Sequence, residues 1–150
     1  MNDLDKKKYL FATIFYLANK LQTVGDKHLD GSITTKQWFL TAILSHLPDN
    51  PSLSEVANAM GTSRQNVKQL ALKLKKNNYL EFTKQDNDAR VTALRLTEKF
   101  ERYWINRKDK DHQFVLNLFS ELNNDELNAM YSGFLKITDK LEQISNEMEK

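Results

Sequence analysis

Residues 52–74 read SLSEVANAMGTSRQNVKQLALKL, and the punctuation of this stretch decides the fold. Ser52 with Glu55 three positions on makes a capping box: the hydroxyl accepts from the Glu55 N–H and the carboxylate reaches back to the Ser52 N–H. A short helix, SEVANAM, follows, with Val56, Ala57 and Met60 on its inner face. Gly61 stops it, and Ser63 caps a second helix from Arg64 to about Asn77. Ala57 lies four residues before the glycine, Val67 six after it, and Leu70 three further on. A small residue where two helices touch, a glycine at the turn and apolar residues that lock the second helix are what a helix-turn-helix requires. Val67, Leu70, Ala71 and Leu74 then define the buried side of that helix. Arg64, Gln65, Lys68 and Gln69 are left on its outer face, with Asn66 at the margin.

Downstream the period changes from helical to alternating. Asn78 follows the last apolar helical position and tolerates the left-handed conformation that ends a helix. Tyr79 to Thr83 and Val91 to Leu96 alternate as strands, with Leu80 and Phe82 on one face of the first and Leu94 and Leu96 on one face of the second. The polar run KQDNDAR between them predicts a β-hairpin with a long tip. Thr97 caps a helix that carries Phe100, Tyr103 and Trp104 through NRKDKDHQ into Phe114, Leu118 and Phe119. Asn123 and Glu126 form another capping box, and Leu127, Met130, Phe134, Ile137, Leu141, Ile144 and Met148 then recur at alternating three- and four-residue spacings.

Upstream, residues 4–24 predict a helix with Leu10, Ile14, Leu17, Leu21 and Val24 as its stripe, and polar Gly25 to Ser32 breaks the pattern. Thr34 and Gln37 make a third capping box, with Ile33 and Trp38 placed as a staple. The helix they open runs to Leu47 and is closed by Pro48 and Pro51. The element order is α-α-α-α-β-β-α-α: mostly α, with a small β-hairpin wing and long terminal helices. Within the 150 residues, 34–100 are expected to form a winged helix-turn-helix region. Residues 1–30 and 105–150 are expected to be dimerisation helices, because their stripes follow the repeat of helices that pack together.

Composition narrows the chemistry. Without cysteine there is no disulfide, thiolate metal site or thiol nucleophile. His28, His46 and His112 are far apart and give no ligand spacing, so no metal or other cofactor is expected. No glycine-rich phosphate loop, nucleophile motif or convergent His/Asp set supports an enzyme. No apolar run is long enough to span a bilayer, and MNDLDKKKYL is too polar for a secretory signal, so a cytoplasmic location is expected.

The net charge of +2 hides an asymmetry. Residues 51–107 hold eleven Lys/Arg against six Asp/Glu, whereas 108–150 hold five against nine. Arg64, Lys68, Lys73, Lys75, Lys76 and Lys84 crowd into 62–84 beside the single acid Glu81. Such a patch suits a polyanion, above all nucleic acid, although a solvated lysine-rich helix face accounts for the charge equally well. A helix fits the ~12 Å major groove, where Arg, Asn and Gln make paired bonds to base edges. The hairpin tip offers Lys84 and Arg90 to an adjacent minor groove, with Asp88 placed to orient the arginine. By spacing alone, Asp88 and Arg90 read equally as a surface ion pair. The candidate DNA-binding residues are Ser63, Arg64, Gln65, Asn66, Lys68, Gln69 and Lys73 from the second helix and Lys84, Asp88 and Arg90 from the tip. The competing possibility is a winged-helix interaction module that titrates a protein partner without touching DNA.

The run DNDARVTALRLTEKF resembles the wing signature of the MarR family of bacterial transcriptional regulators, Asp-x-Arg followed by alternating apolar residues and Leu-Thr. Asp88, Arg90, Leu94, Leu96 and Thr97 match it. The resemblance extends through ITTKQWFLTAIL, SLSEVANAMGTS and the second helix, and so covers nearly the whole chain. Three positions depart: Ala89 replaces a frequent second basic residue, Phe100 a usual glycine, and Asn78 the usual glycine after the recognition helix. The resemblance implies a homodimer on double-stranded DNA at a pseudo-palindromic operator, usually as a repressor. It also implies release by a small, often phenolic or aromatic, effector between the dimerisation and DNA-binding regions. The corresponding zone draws on Phe11, Phe15, Tyr16, Trp38, Tyr103 and Trp104, although aromatic residues at helical spacing are more often core packing.

Overall fold

A computed structural model describes residues 1–149. Its elements are α1 (Asp3–His28), α2 (Thr35–His46), α3 (Leu53–Met60), α4 (Arg64–Lys76), β1 (Leu80–Lys84), β2 (Thr92–Leu96), α5 (Glu98–Leu118) and α6 (Asn124–Met148). The order α-α-α-α-β-β-α-α is the one the sequence predicts. The chain divides into two compact units, Met1–Tyr103 and Trp104–Lys150, and the boundary falls inside α5.

Local chemistry sets most of the element ends. Thr34, Ser52 and Asn123 each close a reciprocal capping box with Gln37, Glu55 and Glu126. Two of the helix ends in the first unit are Schellman turns. After α3, the Thr62 N–H reaches the Ala57 carbonyl at 3.0 Å and the Gly61 N–H reaches Asn58 at 3.2 Å, with Gly61 at φ 66°. After α4, Tyr79 bonds Leu74 at 3.0 Å and Asn78 bonds Lys75 at 2.9 Å, with Asn78 at φ 58°. Asparagine thus supplies the left-handed residue where glycine is the usual choice.

One helix boundary differs from the sequence expectation. Gly25 does not end α1, which continues to His28. Gly25 is buried because the backbone of α1 passes close to Thr35: a Cβ there would lie 2.4 Å from the Thr35 hydroxyl oxygen. The chain turns at Asp30 and Gly31, both at positive φ, between Leu29 and Ile33, which are buried.

The core of the first unit joins Leu29 and Ile33 to Leu40 and Leu44 of α2, Leu53, Val56 and Ala57 of α3, and Val67, Ala71 and Leu74 of α4, with Leu80 and Leu94 from the hairpin. Burying a side chain of this size contributes about 1.5–3 kcal/mol, so these residues hold the three short helices and the wing as one body. Strands β1 and β2 pair antiparallel, Leu80 opposite Leu96 and Phe82 opposite Leu94, as the alternation required. Phe100 is buried beside Tyr79 and Tyr103, each ring centroid 5.8 Å away, so the side chain standing at a usual glycine position fills space at the start of α5.

In the second unit, Arg107 and Asp111 form an i,i+4 ion pair at 3.0 Å, both largely shielded from solvent, inside a run that the sequence suggested was merely polar. Helix α6 has no buried residue, and its whole apolar stripe is exposed. The stripe of α1 is exposed too, from Leu10 at 58 % to Leu21 at 39 %.

Candidate nucleic-acid interface

Helix α4 begins where Ser63 Oγ accepts the Asn66 N–H at 3.1 Å. Val67, Ala71 and Leu74 turn into the core and Leu70 is half-buried. With 100° between successive residues, the opposite side must carry Gln65, Gln69, Leu72 and Lys76, flanked by Lys68 and Lys73, while Arg64 lies in line with Ala71 and is exposed at the first turn of the helix. Ser63, Arg64, Gln65, Asn66, Lys68, Gln69 and Lys73 are all exposed. Asn66 is partly engaged, its Nδ2 donating to Thr62 Oγ1 at 3.0 Å.

The wing is tied to this frame at its root. The Leu94 N–H donates to the Pro51 carbonyl at 3.0 Å, and Ser52 forms a β-bridge with Ala93. Thr83 Oγ1 donates to Asn50 Oδ1 at 3.1 Å. Gln85 Nε2 donates to Glu55 Oε2 at 2.9 Å, linking the start of the tip to the capping box of α3. The Ser52 backbone N–H chiefly, then its hydroxyl and Gln85, hold the Glu55 carboxyl below the usual range. None of these tethers was legible in the sequence, since each joins segments tens of residues apart.

At the tip, Asp88 accepts from the Arg90 backbone N–H at 3.0 Å and from the guanidinium Nε at 3.1 Å and Nη2 at 3.3 Å. The guanidinium bonds, with the backbone bond behind them, lower the Asp88 pKa. The arginine side chain remains 91 % exposed. The pair therefore aims a cation outward with little contribution to stability. Lys84, at the end of β1, is exposed as well.

Some of the cationic surplus is used within the protein. Arg95 pairs with Glu81 across the hairpin, Nε to Oε1 at 2.7 Å. Lys75 Nζ sits 5.4 Å from the Phe82 ring centroid, and Lys99 Nζ sits 5.2 Å from that of Tyr79. Lys75, one of the six cations crowded into 62–84, is thus partly engaged by a ring.

The six aromatic candidates divide into separate groups. Phe11 and Phe15 stack edge to face on exposed α1, centroids 5.2 Å apart, with Tyr16 exposed beside them. Trp38 and Tyr103 pack against the core, and Tyr103 Oη shares a 2.9 Å hydrogen bond with Ser32 Oγ. Trp104 is exposed and belongs to the other unit. Among the described residues, no group of three or more His, Asp or Glu is placed to hold a metal ion.

A capped recognition helix set against a short helix at a glycine turn, followed by a hairpin whose tip carries Lys84 and an exposed Arg90 paired with Asp88, defines a winged helix-turn-helix protein. No family model matches the sequence. The chain is 27 % identical over 134 residues to the transcriptional repressor MprA of Escherichia coli (strain K12), covering 88 % of this chain and 76 % of that one. Its fold matches a MarR/EmrR family transcriptional regulator from Acinetobacter sp. ADP1 with a TM-score of 0.81 at 22 % identity, over 91 % of this chain and 97 % of the other. It matches S. aureus MepR, solved as a complex with DNA, with a TM-score of 0.75 at 20 % identity, over 90 % and 97 %. The resemblance to the MarR family, first carried by residues 88–97, holds in sequence and in fold.

Proposed function

We propose that the protein is a homodimeric, sequence-specific transcriptional regulator, acting as a repressor at a pseudo-palindromic operator in the cytoplasm. The observation that carries this reading is the two-sidedness of α4. One side is locked in the core through Val67, Ala71 and Leu74, the other presents Gln65, Lys68, Gln69 and Lys73 to solvent, and Arg64 is exposed at the helix start, beside a wing that aims Arg90 outward. The likeness to a transcriptional repressor and the fold shared with a protein solved on DNA point the same way. Gln65 and Arg64 read base edges near the start of α4, Ser63 and Lys73 hold phosphates, and Lys84 and Arg90 anchor the wing in the minor groove. No enzymatic role enters this scheme.

Dimerisation follows from the apolar stripes of α1 and α6. Leu10, Phe15, Phe134 and Leu141 are among the exposed residues, and a soluble chain rarely leaves contiguous apolar faces of this length uncovered. A second copy covers them by symmetry, with 1–30 and 105–150 as the dimerisation segments and 34–100 as the DNA-binding region. A small aromatic or phenolic effector weakens operator binding, and within the first unit the exposed group Phe11, Phe15 and Tyr16 on α1 is its candidate contact. Exposure of the α1 rings supports it.

Selection of bound sites from a random double-stranded DNA pool tests the reading. Enrichment of an inverted repeat is expected. Absence of any enriched repeat, with a protein partner captured instead, would overturn it in favour of an interaction module.

A further inference from the structure

The junction between α1 and α2 is held by a compact polar contact. Asp26 Oδ1 accepts the Thr35 backbone N–H at 2.7 Å, and the Thr35 hydroxyl lies 2.7 Å from the same oxygen and 3.1 Å from the Gln22 carbonyl. Thr35 is the first residue of α2, so its N–H has no partner within that helix. Asp26 supplies one from the neighbouring helix, while Thr34 caps the same end from within the chain. Gly25 makes the approach possible: a Cβ would meet Thr35 Oγ1 at 2.4 Å and Cγ2 at 3.0 Å. Two helices are thus joined by a charged acceptor and a glycine contact with no tolerance for bulk.

We propose that Asp26, Gly25 and Thr35 form a clasp that fixes α1 on α2 and so sets the separation of the two recognition helices in the dimer. Asp26 is a positioning residue for operator spacing. The inference rests on α1 being a dimerisation helix and α4 the DNA reader, as argued above. In a dimer built on α1, the orientation of α2 on α1 is carried through the shared core of α2, α3 and α4 to both reading faces. One added base pair moves a half-site by about 3.4 Å and turns it by about 35°, so a rigid junction rejects the altered spacing and a loose one accepts it.

The test uses the full-length protein on duplexes carrying the selected inverted repeat, with the spacer at its native length or one base pair longer or shorter. Wild type is expected to lose about tenfold or more in affinity on either altered spacer, comparable to the cost of a mismatched base pair. Asp26→Ala and Thr35→Val are expected to cut that discrimination to about two- or threefold while keeping dimer mass and the affinity for a single half-site. Thr35→Ser, which retains the hydroxyl that Thr35→Val removes, should restore it. Gly25→Ala should reproduce the Asp26→Ala result; if it fails to fold, Asp26→Leu, which keeps the side-chain bulk and has no acceptor, decides in its place by the same loss of discrimination. Unchanged spacing discrimination in folded Asp26 and Thr35 variants would overturn the clasp and leave the DNA-binding reading intact. Failure of wild type to bind any repeat would overturn that reading itself, and the clasp's role with it.

Discussion

Gly61→Ala isolates the turn on which the helix-turn-helix depends. Gly61 sits at φ 66°, ψ 36°, and a Cβ added there would meet nothing within 4 Å. No clash contributes, so the cost is the intrinsic penalty of an L-residue in the left-handed region, about 1–2 kcal/mol. Asparagine tolerates that region better, as Asn78 does at the end of α4, so Gly61→Asn should cost less than Gly61→Ala. For a chain of this length each kcal/mol lowers Tm by about 2–4 °C, which places Gly61→Ala about 2–8 °C below wild type. Thermal unfolding followed by circular dichroism measures this, with protein concentration fixed because association contributes to apparent stability. A Tm at or above wild type for Gly61→Ala, or a larger loss for Asn than for Ala, would refute the assignment of the cost to backbone conformation.

Replacing Arg64 or Gln65 with alanine should weaken operator binding by about 1–3 kcal/mol and relax preference at particular base positions. Arg90→Ala should lower affinity across many sequences together, and Lys84→Ala should reduce the salt slope by about one per subunit. A salt series and a panel of single-base variants separate these behaviours. Asp26, Glu55 and Asp88 all have lowered pKa values, chiefly through the Thr35 backbone N–H, the Ser52 backbone N–H and the Arg90 side chain respectively. Each binds fewer protons folded than unfolded, so its contribution is complete above about pH 5, begins to fall as pH approaches the unfolded values near about 4, and is lost as pH drops through the lower folded values. Stability and wing order should therefore hold from pH 7 down to about 5 and then decline, as unfolding in a pH series would register. Phe134→Lys or Leu141→Lys places a charge on the α6 stripe and should shift light-scattering mass from twice 17.5 kDa toward the monomer.

Features encoded by neighbours in sequence were the ones legible in advance. The three capping boxes, the left-handed Gly61 and Asn78 and the hairpin alternation each depend on residues within about six positions of one another. Positions requiring a distant partner were not legible. Gly25 reads as a helix breaker in isolation, yet it lies within α1, where its missing side chain leaves room for Thr35. Gln85 reads as a polar tip residue until Glu55 is seen beside it. The outward face of α4 could be inferred because burial of Val67, Ala71 and Leu74 leaves one alternative. How the aromatic set is shared between core and surface could not, since Tyr103 and Phe11 have the same helical spacing signals and opposite surroundings.

The central claim, that the outer face of α4 and the wing together read DNA sequence, is tested most directly by one ratio. Equilibrium titration of the protein against its selected inverted repeat and against a scrambled duplex of equal length, at a single salt concentration, gives both dissociation constants. The account predicts that the repeat binds at least about 10³-fold more tightly, the lower end of the range for specific regulators. A ratio near one, with both affinities falling steeply and equally with salt, would mean that the basic surface binds phosphate alone, and would contradict it.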